Sequence, residues 1–184
     1  MRYFIGFLIT IGLIIVLIVL LFSGGNKSTP SAVPKLLSSY ASTDAEVRLT
    51  IDGPINAAQS HQKVQITINS SQATFQQLQG YDGTVVNTQS YANTPNGYYA
   101  FLRALEQADF TKGNSSPALA NDTGLCPLGD RYNMELIQNG NVLENYWTTT
   151  CGGLATFEGN TDLTLQLFQA QIPNYSNLTE NINF

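Results

Sequence analysis

Two glutamates, Glu135 and Glu144, lie at equal distances on either side of an Asn-Gly dipeptide. Asn139-Gly140 is the strongest short signal for a two-residue β-hairpin turn, because a type I′ turn needs a positive φ at both central residues. A hairpin closed there would pair the glutamates, with their Cβ atoms about 5 Å apart. Paired carboxylates serve retaining glycosidases and divalent-cation sites, since each raises the pKa of the other. The simpler interpretation is that both side chains extend into water.

The same register predicts the other face of the hairpin. Tyr132 would lie opposite Trp147 and Leu136 opposite Leu143, with Met134 between the two pairs. These apolar side chains would form one buried face. The predicted strands are residues 131–138 and 141–148.

The chain has two cysteines, Cys126 and Cys151. The predicted register brings Cys151 level with residue 128, so a bend through Pro127 would bring the two sulfurs together. We therefore expect a disulfide that closes the base of the hairpin and contributes roughly 3.5 kcal/mol by loop entropy. A metal site would need more ligands than two cysteines and His61, the one histidine; two free buried thiols are the other alternative. A disulfide would also remove the thiol that a Cys-His nucleophilic site requires.

Other signatures of catalysis are missing from the sequence. It contains no G-x-S-x-G elbow, no H-E-x-x-H helix, no phosphate-binding glycine loop and no EF-hand spacing. Asp122 lies in an Asn-Asp-Thr-Gly segment that superficially suggests a cation loop, but the ligand spacing is wrong and a turn is the better interpretation. We expect no cofactor and no metal, and an enzyme is the less favoured class.

Upstream of the hairpin, alternating apolar residues predict a meander of four antiparallel strands. Val47, Leu49 and Ile51 form the first alternation, and Val64, Ile66 and Ile68 form the second. Antiparallel pairing would place residue 51 near 64 and residue 47 near 68, with all six side chains on one face. Weaker strand patterns at 73–79 and 84–91 are joined by a Gly-Tyr-Asp-Gly turn.

Two helices are predicted. The first runs from 95 to 108 after Thr94 as N-cap, and one apolar stripe should lie on the sheet: Tyr98, Phe101, Leu102 and Leu105. The second runs from about 161 to 172 and ends before Pro173, with Asn160 or Thr161 as N-cap and an apolar face of Leu163, Leu167 and Ala170. The tail beyond it looks frayed, although Tyr175 and Leu178 could dock.

The N-terminal segment predicts a membrane anchor. Residues 3–22 form an uncharged apolar run, and twenty helical residues span about 30 Å, the thickness of a bilayer core. A cleaved signal peptide, processed near Ser23, Gly24 and Gly25, is the alternative; the run is longer than usual for one. We therefore divide the chain into an anchor (1–23), a flexible Gly-, Ser- and Pro-containing stalk (24–44) and a folded domain (45–184). The expected fold is α+β: about six antiparallel strands with two packed helices, preceded by one transmembrane helix.

Composition restricts the partners. Charged residues make up 11% of the 184-residue chain and the formal net charge is −5. Nucleic-acid binding requires clustered Lys and Arg, which this sequence lacks, so we exclude it. Cysteine pairing and the anchor together favour a location outside the cytoplasm.

Four segments, GYYAFLRALEQADF, CPLGDRY, NYWTTTCGG and LFQAQIPNY, carry a resemblance across residues 80–176. In these segments the chain is similar to uncharacterised membrane-anchored proteins of candidate-phylum bacteria. The resemblance implies a bacterial source and no functional residue, since no activity is assigned to such proteins.

These features lead to a functional hypothesis. We expect a single-pass protein of the bacterial cell envelope, held in the lipid bilayer by residues 3–22, whose extracytoplasmic domain binds a protein, a glycan or another envelope component. One alternative is an envelope hydrolase using Glu135 and Glu144 as acid and base. Another is an accessory subunit of a larger membrane assembly.

Overall fold

The computed structural model of the protein describes residues 35–182. Six strands form one antiparallel sheet: β1 (Glu46–Asp52), β2 (Gln62–Ile68), β3 (Gln72–Gln79), β4 (Thr84–Ala92), β5 (Arg131–Gln138) and β6 (Asn141–Thr149). Their order across the sheet is β4-β3-β2-β1-β5-β6. The predicted meander is confirmed, and the predicted hairpin adds its two strands beside β1.

Three α-helices accompany the sheet: α1 (Pro95–Gln107), α2 (Thr161–Gln169) and α3 (Tyr175–Thr179). Two short 3-10 helices, Leu37–Ser42 and Pro117–Leu119, complete the elements of the described residues. Within residues 35–182, no helix reaches the length and apolar character needed to span a membrane. The predicted anchor at 3–22 and the stalk up to residue 34 lie outside the described residues.

Alternation along β1 and β2 fixes their pairing. Val47 lies opposite Ile68 and Ile51 opposite Val64, as the sequence predicts. All the odd-numbered residues of β1 point to one side, which we call the helix face, and are buried against the helices. The even-numbered residues and their cross-strand neighbours form the polar face, whose members include Arg48, Thr50, Gln65, Thr67, Thr74 and Gln76.

The α1 prediction is confirmed in detail. The Thr94 hydroxyl accepts a hydrogen bond from the Gly97 amide at 3.1 Å, which satisfies one of the free donors at the helix start. The apolar stripe Tyr98, Phe101, Leu102 and Leu105 is buried, as expected. Burial in the core raises the pKa of Tyr98, whose hydroxyl donates to the carbonyl of Ala45 at 2.9 Å.

The second predicted helix is shorter and rotated. It ends at Gln169, and Asn160 is the N-cap, accepting from the Leu163 amide at 3.0 Å. Thr164 and Phe168 are its buried residues, whereas the predicted face is half-buried or exposed. Phe168 sets this orientation because its ring packs edge-on against Phe101, with the ring centroids 5.3 Å apart.

Both ends of the domain are more ordered than the sequence predicts. Leu37 is buried in the core, and the Ser38 amide donates to the Glu106 carboxylate at 2.7 Å. The folded unit therefore includes residues assigned above to the stalk. At the other end the tail is not frayed within the described residues, because Tyr175 and Leu178 of α3 pack against the core.

The predicted hairpin register is correct at the turn and wrong beyond it. Asn139 and Gly140 have positive φ values and Gln138 pairs with Asn141, as a two-residue turn requires. A β-bulge then shifts the pairing by one residue, leaving Leu143 unpaired and exposed. Trp147 consequently lies opposite Asn133 on the polar face, and not opposite Tyr132.

The predicted disulfide is present. Cys126 and Cys151 are bonded, with their Cα atoms 5.5 Å apart, and no described cysteine is free. Cys151 follows the end of β6 and Cys126 precedes the start of β5, so the bond closes the base of the hairpin. Gly129 lies against it, since a Cβ there would come within 2.8 Å of the Cys126 sulfur.

Candidate interaction edge

The outer strands β4 and β6 leave the sheet with two edges, and the β6 edge is covered around Trp147. The Trp147 amide donates to the Thr156 hydroxyl at 2.7 Å, and the Thr156 and Phe157 amides donate back to the Trp147 carbonyl at 2.9 and 3.0 Å. Behind this segment, the Asn114 amide donates to the Thr156 carbonyl at 2.7 Å. The backbone N–H and C=O of Trp147 are therefore paired, whereas residues 141–143 at the other end of β6 are exposed.

The loop before β5 also covers the polar face of β6. The Trp147 ring is 3% exposed, and its indole N–H donates to the carbonyl of Leu119 at 2.7 Å. A tryptophan buried with its polar atom paired is an anchor for the loop. The 111–124 segment, which has no sequence periodicity, thus covers the part of β6 around Trp147.

The β4 edge has no such cover. Within residues 35–182, no backbone hydrogen bond joins β4 to any segment other than β3 and the turn between them. Seven of its nine residues are exposed, and the side chains of Val85 and Val86 are 47% and 50% exposed. A row of unpaired N–H and C=O groups along such a strand is a template for a further strand.

Residues that usually protect an edge are also missing from β4. The strand contains no charged residue and no proline. The neighbouring strand β3 has no charged residue either, and between Lys63 and Arg103 the chain carries a single charge, Asp82. One protective feature exists, a β-bulge between β3 and β4 near Val86, and beyond it residues 87–92 pair regularly. Six consecutive residues thus present a regular, uncharged edge.

A depression of about 510 Å³ lies at the start of β4. Its lining comes from the β1–β2 connection and the β3–β4 turn: Ala58, Gln59, Gln79, Gly80, Tyr81, Asp82 and Thr84. The Tyr81 ring is half exposed, and its hydroxyl donates to the Asn56 carbonyl at 2.7 Å while accepting from the Asn56 amide at 3.1 Å.

Behind Tyr81 lies a cluster of charges centred on Asp52. Its carboxylate is 2.6 Å from the Arg131 guanidinium, 2.8 Å from the Lys63 ammonium and 2.9 Å from Nε2 of His61. Arg131 is buried, and the same guanidinium nitrogen donates to the Gly53 carbonyl at 2.9 Å. The cluster joins β1, β2 and β5 at one end of the sheet.

His61 is fully buried within this cluster. Its Nδ1 is 3.1 Å from the Pro54 carbonyl, and its ring stacks on Tyr81 with the centroids 4.1 Å apart. The contact between Nε2 and Asp52 has the distance of an ion pair without the alignment of a hydrogen bond. No thiol is free to pair with this ring. Its packing on Tyr81 and Pro54 indicates that His61 supports the β1–β2 connection.

A second depression, of about 290 Å³, lies over the charge cluster. Two basic and two acidic residues line it, namely Lys63, Arg131, Asp52 and Asp122. Because the two cations are matched by two carboxylates, the lining of the depression has no net formal charge to offer an ionic ligand. We therefore assign the cluster a structural role.

Glu135 and Glu144 do not form the expected pair. After the bulge, Glu144 lies opposite Leu136 on the helix face, while Glu135 lies opposite Asn145 on the polar face. The Glu135 carboxylate is 3.4 Å from the Arg48 guanidinium, and Glu144 accepts from the Tyr146 hydroxyl at 2.6 Å. The geometry on which the hydrolase interpretation depended is therefore absent.

Two tyrosines of the hairpin titrate at unusually high pH. Burial, together with the hydrogen bond to Glu144, raises the pKa of Tyr146 to about 12. Burial and the nearby Asp130 carboxylate raise the pKa of Tyr132 to about 12. Burial also raises the pKa of Asp130, whose Oδ1 is buried without a hydrogen-bond partner.

The Asp122 segment is a turn. The Asn121 side-chain oxygen accepts from the amide of Thr123 at 2.8 Å and from the Thr123 hydroxyl, which folds the segment on itself. Among residues 35–182, no group of three or more His, Cys, Asp or Glu side chains is placed to hold a metal ion.

Comparison of the chain with family models, curated proteins and solved structures finds no match.

Sequence reasoning missed the open edge, although one signal for it was present. The long stretch with Asp82 as its single charge is visible in the sequence. This stretch indicates an open edge only if β4 is an outer strand. The strand order shows that it is, and no local sequence pattern predicts that order.

Proposed function

We propose that the protein is a membrane-tethered, extracytoplasmic interaction module that binds a protein partner by adding a strand to β4. The observation that carries this proposal is the contrast between the two edges. β6 is covered around Trp147 and carries the charged residue Glu144, whereas β4 has no such cover, no charge and no proline. Natural sheets rarely leave such an edge without a use for it.

Strand addition fits the chemistry of this edge. Main-chain hydrogen bonds supply the affinity, and alternate side chains supply the specificity. Since the stretch around β4 holds only Asp82 as a charge, affinity should depend little on ionic strength. The tether and the outside location are supported by the apolar run at 3–22 and by the disulfide, which persists in oxidising compartments.

Site-specific photo-crosslinking in cells expressing the full chain tests the proposal. A photoreactive amino acid at Ser90, on the exposed part of β4, should give covalent adducts with protein. The same amino acid at Tyr99, which is half exposed on α1, is the matched control and should give few. Thr88→Lys, which places a charge on the regular part of the edge, should remove the adducts from Ser90.

Two outcomes would overturn the proposal. Equal adduct yields from Ser90 and Tyr99 would show that β4 has no special partner. Failure of protease added outside the cell to reach the domain, while a known outer-surface protein is cleaved, would remove the extracytoplasmic location.

A further inference from the structure

We infer that the strand added to β4 is β4 of a second copy of this chain, paired antiparallel so that two sheets join into one of twelve strands. The inference rests on the proposed function, in that β4 must be the binding edge. It adds the identity of the partner.

Charge is the first argument. Residues 35–182 contain six Lys and Arg and thirteen Asp and Glu, a formal net charge of −7, so two copies repel over most of their surface. The β4 edge is the exception, because Asp82, in the turn at one end, is the one charge between Lys63 and Arg103. Two copies can meet there without opposing like charges.

The neutral edge also discriminates against other partners. A basic segment would be attracted to the acidic surface of the domain at many places, and β4 offers it no particular complement. A neutral strand gains only backbone hydrogen bonds and cross-strand side-chain contacts. The β4 edge of another copy has this composition, and copies held in one membrane are at high local concentration.

Symmetry makes the pairing specific. In an antiparallel pair of identical edge strands the two-fold axis runs normal to the sheet, so each face of one copy continues into the same face of the other. Side chains on one face are spaced two apart, and paired positions therefore differ by an even number. The axis must then pass midway between one residue and its own copy, which lie opposite each other.

The regular part of β4 accommodates such an axis at Gln89. Thr88 would lie opposite Ser90 on the polar face, and Asn87 opposite Tyr91 on the helix face. Hydroxyl side chains in a cross-strand pair form hydrogen bonds, and the two Gln89 amides can donate to each other. The bulge near Val86 lies outside this segment.

Cysteine scanning of residues 87–91 in the full chain, oxidised in isolated membranes, tests the inference. Because Cys126 and Cys151 are bonded, each introduced cysteine is the one free thiol. A disulfide needs the two Cα atoms within about 7 Å. The yield of disulfide-linked dimer should therefore be highest for Gln89→Cys, at least about fivefold above the control Tyr99→Cys, and should fall toward residues 87 and 91. Adding Thr88→Lys to Gln89→Cys should reduce the dimer to the control level.

The outcomes separate this inference from the proposed function. Self-pairing would be overturned if no cysteine position gave a higher dimer yield than Tyr99→Cys while the Ser90 photo-adducts had a mass other than twice the 20.0 kDa chain. That result would leave β4 as the binding edge for another protein. No cysteine dimer and no photo-adduct would overturn both. A cysteine dimer that persists after Thr88→Lys would show that copies meet by chance collision, and would also overturn self-pairing.

Discussion

The Arg131 guanidinium lies 2.6 Å from the Asp52 carboxylate, which ties the first residue of β5 to the last residue of β1. Arg131 is almost completely buried, so its charge depends on Asp52 and on the Gly53 carbonyl for compensation. This contact adds to the β1–β5 pairing that joins the disulfide-closed hairpin to the meander.

Replacing this arginine should destabilise the domain. Arg131→Met leaves Asp52 beside Lys63 and His61 but without the guanidinium, and we expect the free energy of unfolding to fall by about 2 to 3 kcal/mol. Urea denaturation at neutral pH measures the change. The matched control is Arg103→Met, since the Arg103 side chain is 55% exposed and should cost less than about 0.5 kcal/mol. Equal losses in the two variants would contradict the role of Arg131.

Removing the disulfide should lower stability without preventing folding of the sheet. For Cys126→Ser combined with Cys151→Ser, we expect a loss of about 2 to 5 kcal/mol, measured by urea denaturation. Thiol labelling of the unfolded, unreduced protein is the direct check. Two reactive thiols per chain would refute the bond.

Alkaline pH should destabilise the domain through Tyr132 and Tyr146. The folded-state pKa values of Tyr132 and Tyr146 are raised from 10.0 to about 12. Their contribution to stability is therefore complete below pH 10.0 and is lost as the pH rises toward 12. Tyr146→Phe should flatten the fall in unfolding free energy over this range. Tyrosinate absorbance that follows a single titration near the ordinary value would contradict the assignment.

Asp130 should oppose folding at neutral pH. Burial raises its folded-state pKa above 3.8, so the folded state favours the protonated carboxyl, and stability falls as the pH rises through the folded-state value. Asp130→Asn removes this charge, and we expect the variant to be more stable than the parent at neutral pH. The stability advantage of the variant should disappear below pH 3.8, where the Asp130 carboxyl is protonated in both the folded and the unfolded protein. A variant less stable at neutral pH would show that the Tyr132 hydrogen bond matters more than burial.

Local sequence patterns predicted the β1–β2 pairing, the buried stripe of α1 and the hairpin turn. Val47 opposite Ile68 follows from two alternating strands, and the burial of Tyr98 and Leu105 follows from helical spacing. The hairpin turn followed from the backbone preference of Asn139-Gly140.

Long-range packing decided what the sequence did not predict. The one-residue shift at Leu143 places Trp147 on the polar face, where a loop without periodicity covers it. No local pattern encodes that contact. The candidate edge was missed for a related reason. β4 is an outer strand because the β5–β6 hairpin pairs with β1 and not with β4.

That central position of β1 has a consequence for the nascent chain. Arg48 and its neighbour Glu135 are separated by 87 residues, so the meander is synthesised well before β5 exists to cover β1. During that interval β1 is a temporary edge, and it carries three charges: Glu46, Arg48 and Asp52. These charges, which later pair within the sheet, are suited to keep unfinished chains from joining through β1. Premature association during translation should therefore be confined to β4.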